Sequence, residues 1–474
     1  MKRLLLGAAL TLVAWGALAF GAVYPWAWEP LIAGAAIVGA TAILTTRGSG
    51  VVAGDGRLLW ALTAVAVAIA LQLVPLTPAT LATISPGSVS FLLANDLQYS
   101  VEPGAHPLSI DPAFTWHALV LLAGFTIFLA GLTRLFGATG VRSAATAIAA
   151  LGALLAVIGI VQLAVLGQDA FLGMKIYGFW QPNDRLTTPF GPFVNQNHFA
   201  GWMLMTLPLV LGGVAGLMDR ASSRVRATWR DRVLWLSSRD GGRLQLGVFV
   251  SMAMGMSLLL TRSRSGMVAC GVALLVGAMA AGKRFATARM RLTAALVVLA
   301  AALGAVAWAG TDFSARFSTS AESLNLRRHI WSDARRVIAD FPLTGSGLNT
   351  FAAAMREYQT VPRPMTVLQA HNDYLQLAAE GGLLAGLPAL VALVMLGVLI
   401  RRRFAAKADD TMTYWLRVGA TTGLFAIGLQ SIVEFTLQMP GNAAMFVLIA
   451  AIALHPPKPR SRDRHPSGSH RSPA

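Results

Sequence analysis

The chain has 474 residues, 55% of them hydrophobic and only 12% charged, where a soluble domain carries about 25% charged residues. A soluble chain of this length would divide into two or three domains, each needing a polar surface that this composition cannot supply. The composition therefore excludes a disordered chain, a fibrous repeat and a disulfide-stapled secreted domain, and it suits a protein whose outer surface faces lipid. The one cysteine, Cys270, lies inside an apolar run, so there is no intrachain disulfide and no thiolate metal cluster.

Twelve apolar runs have about the length of a membrane-spanning helix. They lie near 4–22, 31–46, 58–76, 114–133, 144–166, 198–217, 246–261, 266–281, 292–310, 383–400, 414–435 and 442–455. Lys2, Arg3 and the Ala17-Leu18-Ala19 triplet resemble a signal peptide, but eleven further runs make an uncleaved first helix the simpler expectation. The expected fold is an all-α polytopic membrane protein of about twelve transmembrane helices. Spans one to nine occupy 1–310, with outer loops at 77–112 and 167–197. A large, partly helical outer loop covers 311–382, spans ten to twelve cover 383–455, and a disordered basic tail covers 456–474.

Orientation follows from the basic residues. With both termini cytoplasmic, that side carries 27 of the 38 Lys and Arg and seven acids, while the other side carries 11 basic and 14 acidic residues. The net charge of +17 is thus a topology signal, and nucleic acid is not implied. The tail at most touches anionic membrane lipid.

The polar motifs fall on the outer side. Asn195-Gln196-Asn197-His198 precedes the sixth span, where N-capping is the plainest role. Thr261-Arg262-Ser263-Arg264-Ser265-Gly266 forms a short turn at membrane depth; its two arginines either snorkel or hold a diphosphate. Residues 324–340 have helical periodicity, with Leu326, Ile330, Ala334, Val337 and Ile338 as an apolar stripe and Arg328 and Arg335 two turns apart on one face. Asp340-Phe341-Pro342 stops that helix, Thr344-Gly345-Ser346-Gly347 makes a turn, and a second short helix near 349–359 carries Arg356. Clustered outer arginines suit phosphate oxygens, which their planar forks grip bidentately, although a solvated helix with pairs such as Arg336–Asp340 would look similar. His371 stands at the start of a helix entering the membrane, capped by Asn372 or Asp373. There it serves either as a packing residue or as a base for a hydroxyl. Glu434 is the carboxylate inside an apolar run, and an outer arginine is its expected partner. There is no Walker A loop, HExxH, GxSxG or Cys-rich metal site. Outer-face chemistry therefore needs an already activated substrate, with no cofactor and no metal expected.

Four stretches together resemble the bacterial O-antigen ligase and O-antigen polymerase superfamily. They are Phe193-Val194-Asn195-Gln196-Asn197-His198-Phe199-Ala200-Gly201, Thr261 to Gly266, Arg328-His329-Ile330-Trp331 through Gly347, and His371-Asn372-Asp373-Tyr374-Leu375-Gln376 through Leu383. Val433 to Pro440 is similar too, with Glu434 where Asp is more usual. The resemblance is densest over 190–440. It implies a GT-C-type, inner-membrane glycosyltransferase that takes a glycan from undecaprenyl diphosphate and gives it, with inversion, to a hydroxyl of an acceptor glycan or lipid A core on the periplasmic side. By this resemblance Arg262, Arg264, Arg328 and Arg335 grip the diphosphate, His371 is the general base, and Asn197, His198, Asn372 and Glu434 support them. The acceptor groove is expected from loops 77–112 and 167–197. The alternatives are a polytopic transporter or glycolipid flippase, suggested by the span count, and a structural scaffold.

The charge distribution makes a direct prediction. In a Cys270→Ala background, Ser90→Cys is expected to react with a membrane-impermeant maleimide on intact cells, and Ser222→Cys only after permeabilisation. The reverse pattern would overturn the assigned orientation.

Overall fold

A computed structural model describes residues 1–46, 55–166, 175–182, 188–224, 229–281, 313–361, 367–405 and 410–456. The expected ninth span (292–310) and nearly all of the expected tail lie outside the described residues. Among the described residues there are seventeen α-helices and no strand, so the protein is an all-α polytopic membrane protein. In chain order the helices are α1 (Lys2–Leu18), α2 (Pro25–Thr45), α3 (Asp55–Leu71), α4 (Pro78–Ile84), α5 (Pro86–Asn95), α6 (Leu97–Val101), α7 (Pro112–Thr139), α8 (Arg142–Leu166) and α9 (Gln196–Arg224). They continue with α10 (Trp229–Leu236), α11 (Arg239–Leu260), α12 (Arg264–Ala281), α13 (Phe313–Asp340), α14 (Phe351–Tyr358), α15 (Asp373–Ala405), α16 (Thr411–Gln430) and α17 (Pro440–Ala453).

Eleven of the twelve apolar runs are helices, and seven of these are long and apolar enough to cross a membrane. The others differ for visible reasons. Helices α1 and α3 have only 17 residues each, and α17 only 14. Helix α17 is almost wholly buried, so its apolar residues face protein. Helix α16 carries Thr, Gln and the buried Arg417, which lower its hydropathy. The tenth run belongs to a much longer helix: α15 begins at Asp373, ten residues before the expected span, and is bent at Gly382, whose φ is 51°.

The bundle packs through small residues, which let helix backbones approach in a medium where lipid competes for apolar side chains. A Cβ on Gly39 of α2 would meet the Ile127 carbonyl carbon of α7 at 2.7 Å, and Gly131 of α7 faces Gly39 in return. Helices α9 and α16 run along each other in the same way. At one end of the bundle Asp410 caps α16 through Met412 and Thr413 and pairs with Arg142 and Arg220. Burial raises the Asp410 carboxyl, but the Thr413 hydroxyl and Arg142 outweigh it and hold the group at about 2.

At the other end a cap is built from α4, α5, α6, α13 and α14. It has its own core, in which Phe91, Ile330, Ala334, Val337, Phe341, Phe351 and Met355 are buried. Most of the expected stripe of α13 is thus inside, with Leu326 and Ile338 partly covered. The helix stops at Asp340 and the turn follows, with Gly345 at φ 68° and Gly347 at φ 110°. A Cβ on Gly345 would overlap the Glu380 carbonyl. Asp333 is buried and accepts hydrogen bonds from Arg336 and from the backbone and hydroxyl of Thr360, tying the end of α14 to α13. Arg336 therefore pairs with Asp333, while Asp340 accepts from the Tyr358 hydroxyl. Burial, and then that hydrogen bond, push the Tyr358 phenol above its usual range.

Two buried polar side chains fasten the cap to the bundle. Gln72, at the end of α3, donates to the carbonyls of Thr344 (2.7 Å) and Glu380 (2.9 Å) and accepts from the Leu348 amide (3.1 Å). The Glu380 carboxylate accepts the amides of Asn349 (2.9 Å) and Phe351 (3.0 Å), closing the start of α14 onto α15. Gln72→Leu takes the side-chain partner from the Thr344 carbonyl and the Leu348 amide, each loss costing about 1–3 kcal/mol, while the Glu380 carbonyl keeps the Gly347 amide. A marked drop in the thermal midpoint of the detergent-solubilised protein is expected, whereas the exposed Gln98→Leu leaves it unchanged.

Candidate active site

The site is centred on Glu434, whose side chain is 1% exposed. The eleventh apolar run runs to 435, but helix α16 ends at Gln430, and Glu434 sits in the turn that precedes α17. A buried carboxylate is costly unless it is paired and hydrogen-bonded. Here Arg327 of α13 donates to Oε1 at 2.7 Å and Asn197 of α9 donates to the same oxygen at 3.0 Å. His371 places Nδ1 3.6 Å from the other oxygen, Oε2. That gap is longer than a hydrogen bond, and neither His371 Nδ1 nor Glu434 Oε2 has another hydrogen-bond partner among the described residues.

Each contributor is held by its own element. Asn195 caps α9, its side-chain oxygen accepting the Asn197 amide at 2.8 Å, which confirms the capping role expected of this motif and leaves Asn197 turned to Glu434. Arg327 and Trp331 are four residues apart on α13 and so share a face. Trp331 donates its indole N–H to the Ala370 carbonyl at 2.9 Å, fixing the backbone just before His371. His371 adopts a left-handed backbone conformation, φ 50°, a strained arrangement that the surroundings must enforce. The Ala370 amide donates to Gln376 Oε1 at 2.9 Å, and Asn372 caps α15 by accepting the Leu375 amide at 3.0 Å. Gln376 also reaches Gln369, Glu380 and Gln438, and Gln438 donates to Asp373 at 2.9 Å. A third of the His371 side chain remains exposed.

His198 is buried, with neither ring nitrogen hydrogen-bonded among the described residues. Its ring meets the edge of Phe435 at 4.9 Å, and His371 meets the same ring at 4.9 Å. Phe435 thus separates two imidazoles that flank one carboxylate.

The 261–266 turn packs on the helix that carries Asn197: Gly266 meets Ala200, one turn beyond Asn197 on α9. Arg262 is half-buried with φ 56°, and Arg264 is exposed at the first position of α12. Arg328 and Arg335 are exposed on the face of α13 away from its buried stripe, and the structure does not bring them to Glu434. Arg327 takes that position instead. Its spacing of three to Ile330 and four to Trp331 is the signal that marks it as the arginine bordering the buried stripe. Phe435 and Gln376 fall within stretches that resemble the family, but nothing in their spacing singles them out. Among the described residues no group of three or more His, Cys, Asp and Glu is arranged to hold a metal ion.

Loop 77–112 supplies α4 to α6 of the cap. The described part of loop 167–197 carries an aromatic cluster in which Trp180 stacks on Phe20 at 5.0 Å and donates to the Tyr24 hydroxyl.

The ion pair makes a double-mutant prediction. Arg327→Ala leaves a buried unpaired carboxylate and is expected to destabilise by about 3–5 kcal/mol. Adding Glu434→Gln removes that charge and should restore most of the loss in thermal or denaturant unfolding. Additive losses would show that the pair is not coupled.

No curated protein matches the chain. Residues 249–390 match the model of the family described as O-antigen ligase. The matched stretch runs from within α11 into α15 and includes Arg262, Arg264, Arg327 and His371, while Asn197, His198 and Glu434 reach the cluster from outside it. Over residues 249–390 this all-α membrane protein thus matches the O-antigen ligase family, the one that its motifs resemble.

Proposed function

We propose that this protein is an inner-membrane glycosyltransferase. It would move a glycan from an undecaprenyl-diphosphate donor to an acceptor hydroxyl on the periplasmic side, joining either O-antigen to lipid A core or one repeat unit to another. The observation that carries this reading is the His371–Glu434–Arg327 cluster, which lies in and beside the stretch that matches the O-antigen ligase family. A transporter would need its charged groups along the middle of the spans, whereas this cluster sits at helix ends, next to the cap.

In this reading Glu434 is kept ionised by Arg327 and orients His371 through Nδ1, the division of labour of a carboxylate–imidazole pair. The Nε2 side of the ring then takes the proton of the acceptor hydroxyl. The acceptor oxygen forms a bond to the anomeric carbon from the face opposite the leaving group. The carbon–oxygen bond to the diphosphate breaks, its electron pair goes to the diphosphate oxygen, and the product is inverted. Arg262 and Arg264 offset the charge growing on the departing diphosphate, an electrostatic task that guanidinium groups perform without a metal. Arg328 and Arg335, on the exposed face of α13, would meet a donor only at its periphery.

The test follows free undecaprenyl diphosphate released by purified protein from a lipid-linked oligosaccharide extract, with a panel of acceptors. His371→Ala is expected to lower turnover by 10²–10⁴-fold, the usual contribution of a positioned base. Glu434→Gln should lower kcat with little change in donor KM, and Arg264→Ala should act on both. The acceptor that accelerates release names the subclass. Release unchanged by His371→Ala would remove the general base, and no release from folded protein with intact donor would overturn the reading.

A further inference from the structure

The cap contains a cavity of about 410 Å³ lined by α5, α6, the 110–111 segment and α14. Its size falls in the about 300–1,000 Å³ range of small-molecule sites. It is separate from the Glu434 cluster. Gly87 of α5 packs against the Asp340 carbonyl at the end of α13, and Asp340 lies thirteen residues along that helix from Arg327. At 1.5 Å per residue, Asp340 lies about 20 Å along the helix from Arg327, and none of the residues lining the cavity belongs to the Glu434 cluster.

Its lining selects a chemistry. Phe91, Leu92, Ile110 and Ala353 give an apolar wall, and Asp96, Asp111 and Arg356 give charged groups of both signs. Arg356 is exposed and forms no ion pair with any described residue, although both aspartates border the same cavity. Asp96 and Asp111 each use one carboxylate oxygen to cap a helix, α6 and α7 respectively. An anion would face two carboxylates, a cation would face the guanidinium, and an acyl chain would have to desolvate all three. A neutral polyhydroxylated ligand satisfies every group: its hydroxyls donate to the carboxylates and accept from the arginine, and its C–H face covers the apolar wall.

We propose that this cavity is a saccharide subsite, which holds a sugar of the glycan remote from the anomeric carbon that reacts. The proposal deepens the transferase reading and rests on it for the direction of the glycan. The glycan can belong to the donor or to the acceptor, and the chemistry is the same.

The experiment uses the full chain in nanodiscs and saturation-transfer NMR, with two probes: neutral O-polysaccharide fragments of graded length, and core oligosaccharide released from lipopolysaccharide. The measurement is repeated in a His371→Ala background, where binding is read without turnover. Arg356→Ala and Asp111→Asn, the second chosen because it preserves the cap on α7, are each expected to weaken one probe by about tenfold or more. The KM of the matching substrate should rise in parallel, and the probe affected names the source. The effect should vanish for substrates too short to reach from the Glu434 cluster to the cavity. Equal binding of both probes to wild type and both variants would overturn the subsite whatever the transfer assay gives. Arg356-dependent binding by a protein that shows no transfer would sink the catalytic reading and leave the subsite standing.

Discussion

A carboxylate with almost no solvent contact is the constraint around which the functional end of this protein is arranged. Removing Glu434 from water costs several kcal/mol even after relaxation, and only close donors can offset that. The donors cannot come from one segment, because Glu434 sits in a turn with α9, α13 and the start of α15 around it. Asn197, Arg327 and His371 are therefore drawn from three parts of the chain separated by more than a hundred residues in one case and more than forty in another. Neutralising one buried charge brings together the N-terminus of a membrane helix, a cap helix and a strained loop.

The same economy of polar groups explains how the cap is attached. Backbone that leaves a helix near a membrane must find hydrogen-bond partners in protein. The 341–350 turn finds them in Gln72 and Glu380, and the 369–373 loop finds them in Gln376 and Trp331. Glutamine suits this work because one side chain offers both donor and acceptor without a charge to desolvate. Helix α15 carries Gln376 and Glu380 in its first two and a half turns. It therefore starts inside the cap, and only after the bend at Gly382 does it present the exposed leucines and valines of a lipid-facing helix.

Much of this was legible in the sequence, because hydrophobic length and helical period are local properties. Eleven helical runs, the stripe on α13, its stop at Asp340 and the cap at Asn195 follow from them. The composition of the site is less local. Arg327 and Arg328 are adjacent and chemically identical, and one helical step of about 100° decides which faces the buried carboxylate. Periodicity assigned Arg328 to a polar face and was right about that face, but the arginine at the border of the apolar stripe is the one that pairs. Phe435, Gln376 and Gln438 lie inside the resembling stretches, but their individual roles stay hidden because a lone aromatic or amide has no pattern until tertiary contacts give it a partner. The 414–435 run read as one span because apolar residues continue past the helix end, so the turn that places Glu434 was hidden inside it.

The single-step distinction on α13 also constrains how this sequence can vary. Exchanging residues on the outward side of that helix leaves the Glu434 contact in register, and the apolar side tolerates other residues of similar volume. Inserting or deleting one residue between Trp331 and Asp333 does something different. It turns Arg327 and Trp331 by about 100° relative to Asp333 and the buried stripe beyond it. Both tethers, to Glu434 and to Ala370, would then be lost together. Length, more than residue identity, is what this stretch must conserve in order to keep both contacts.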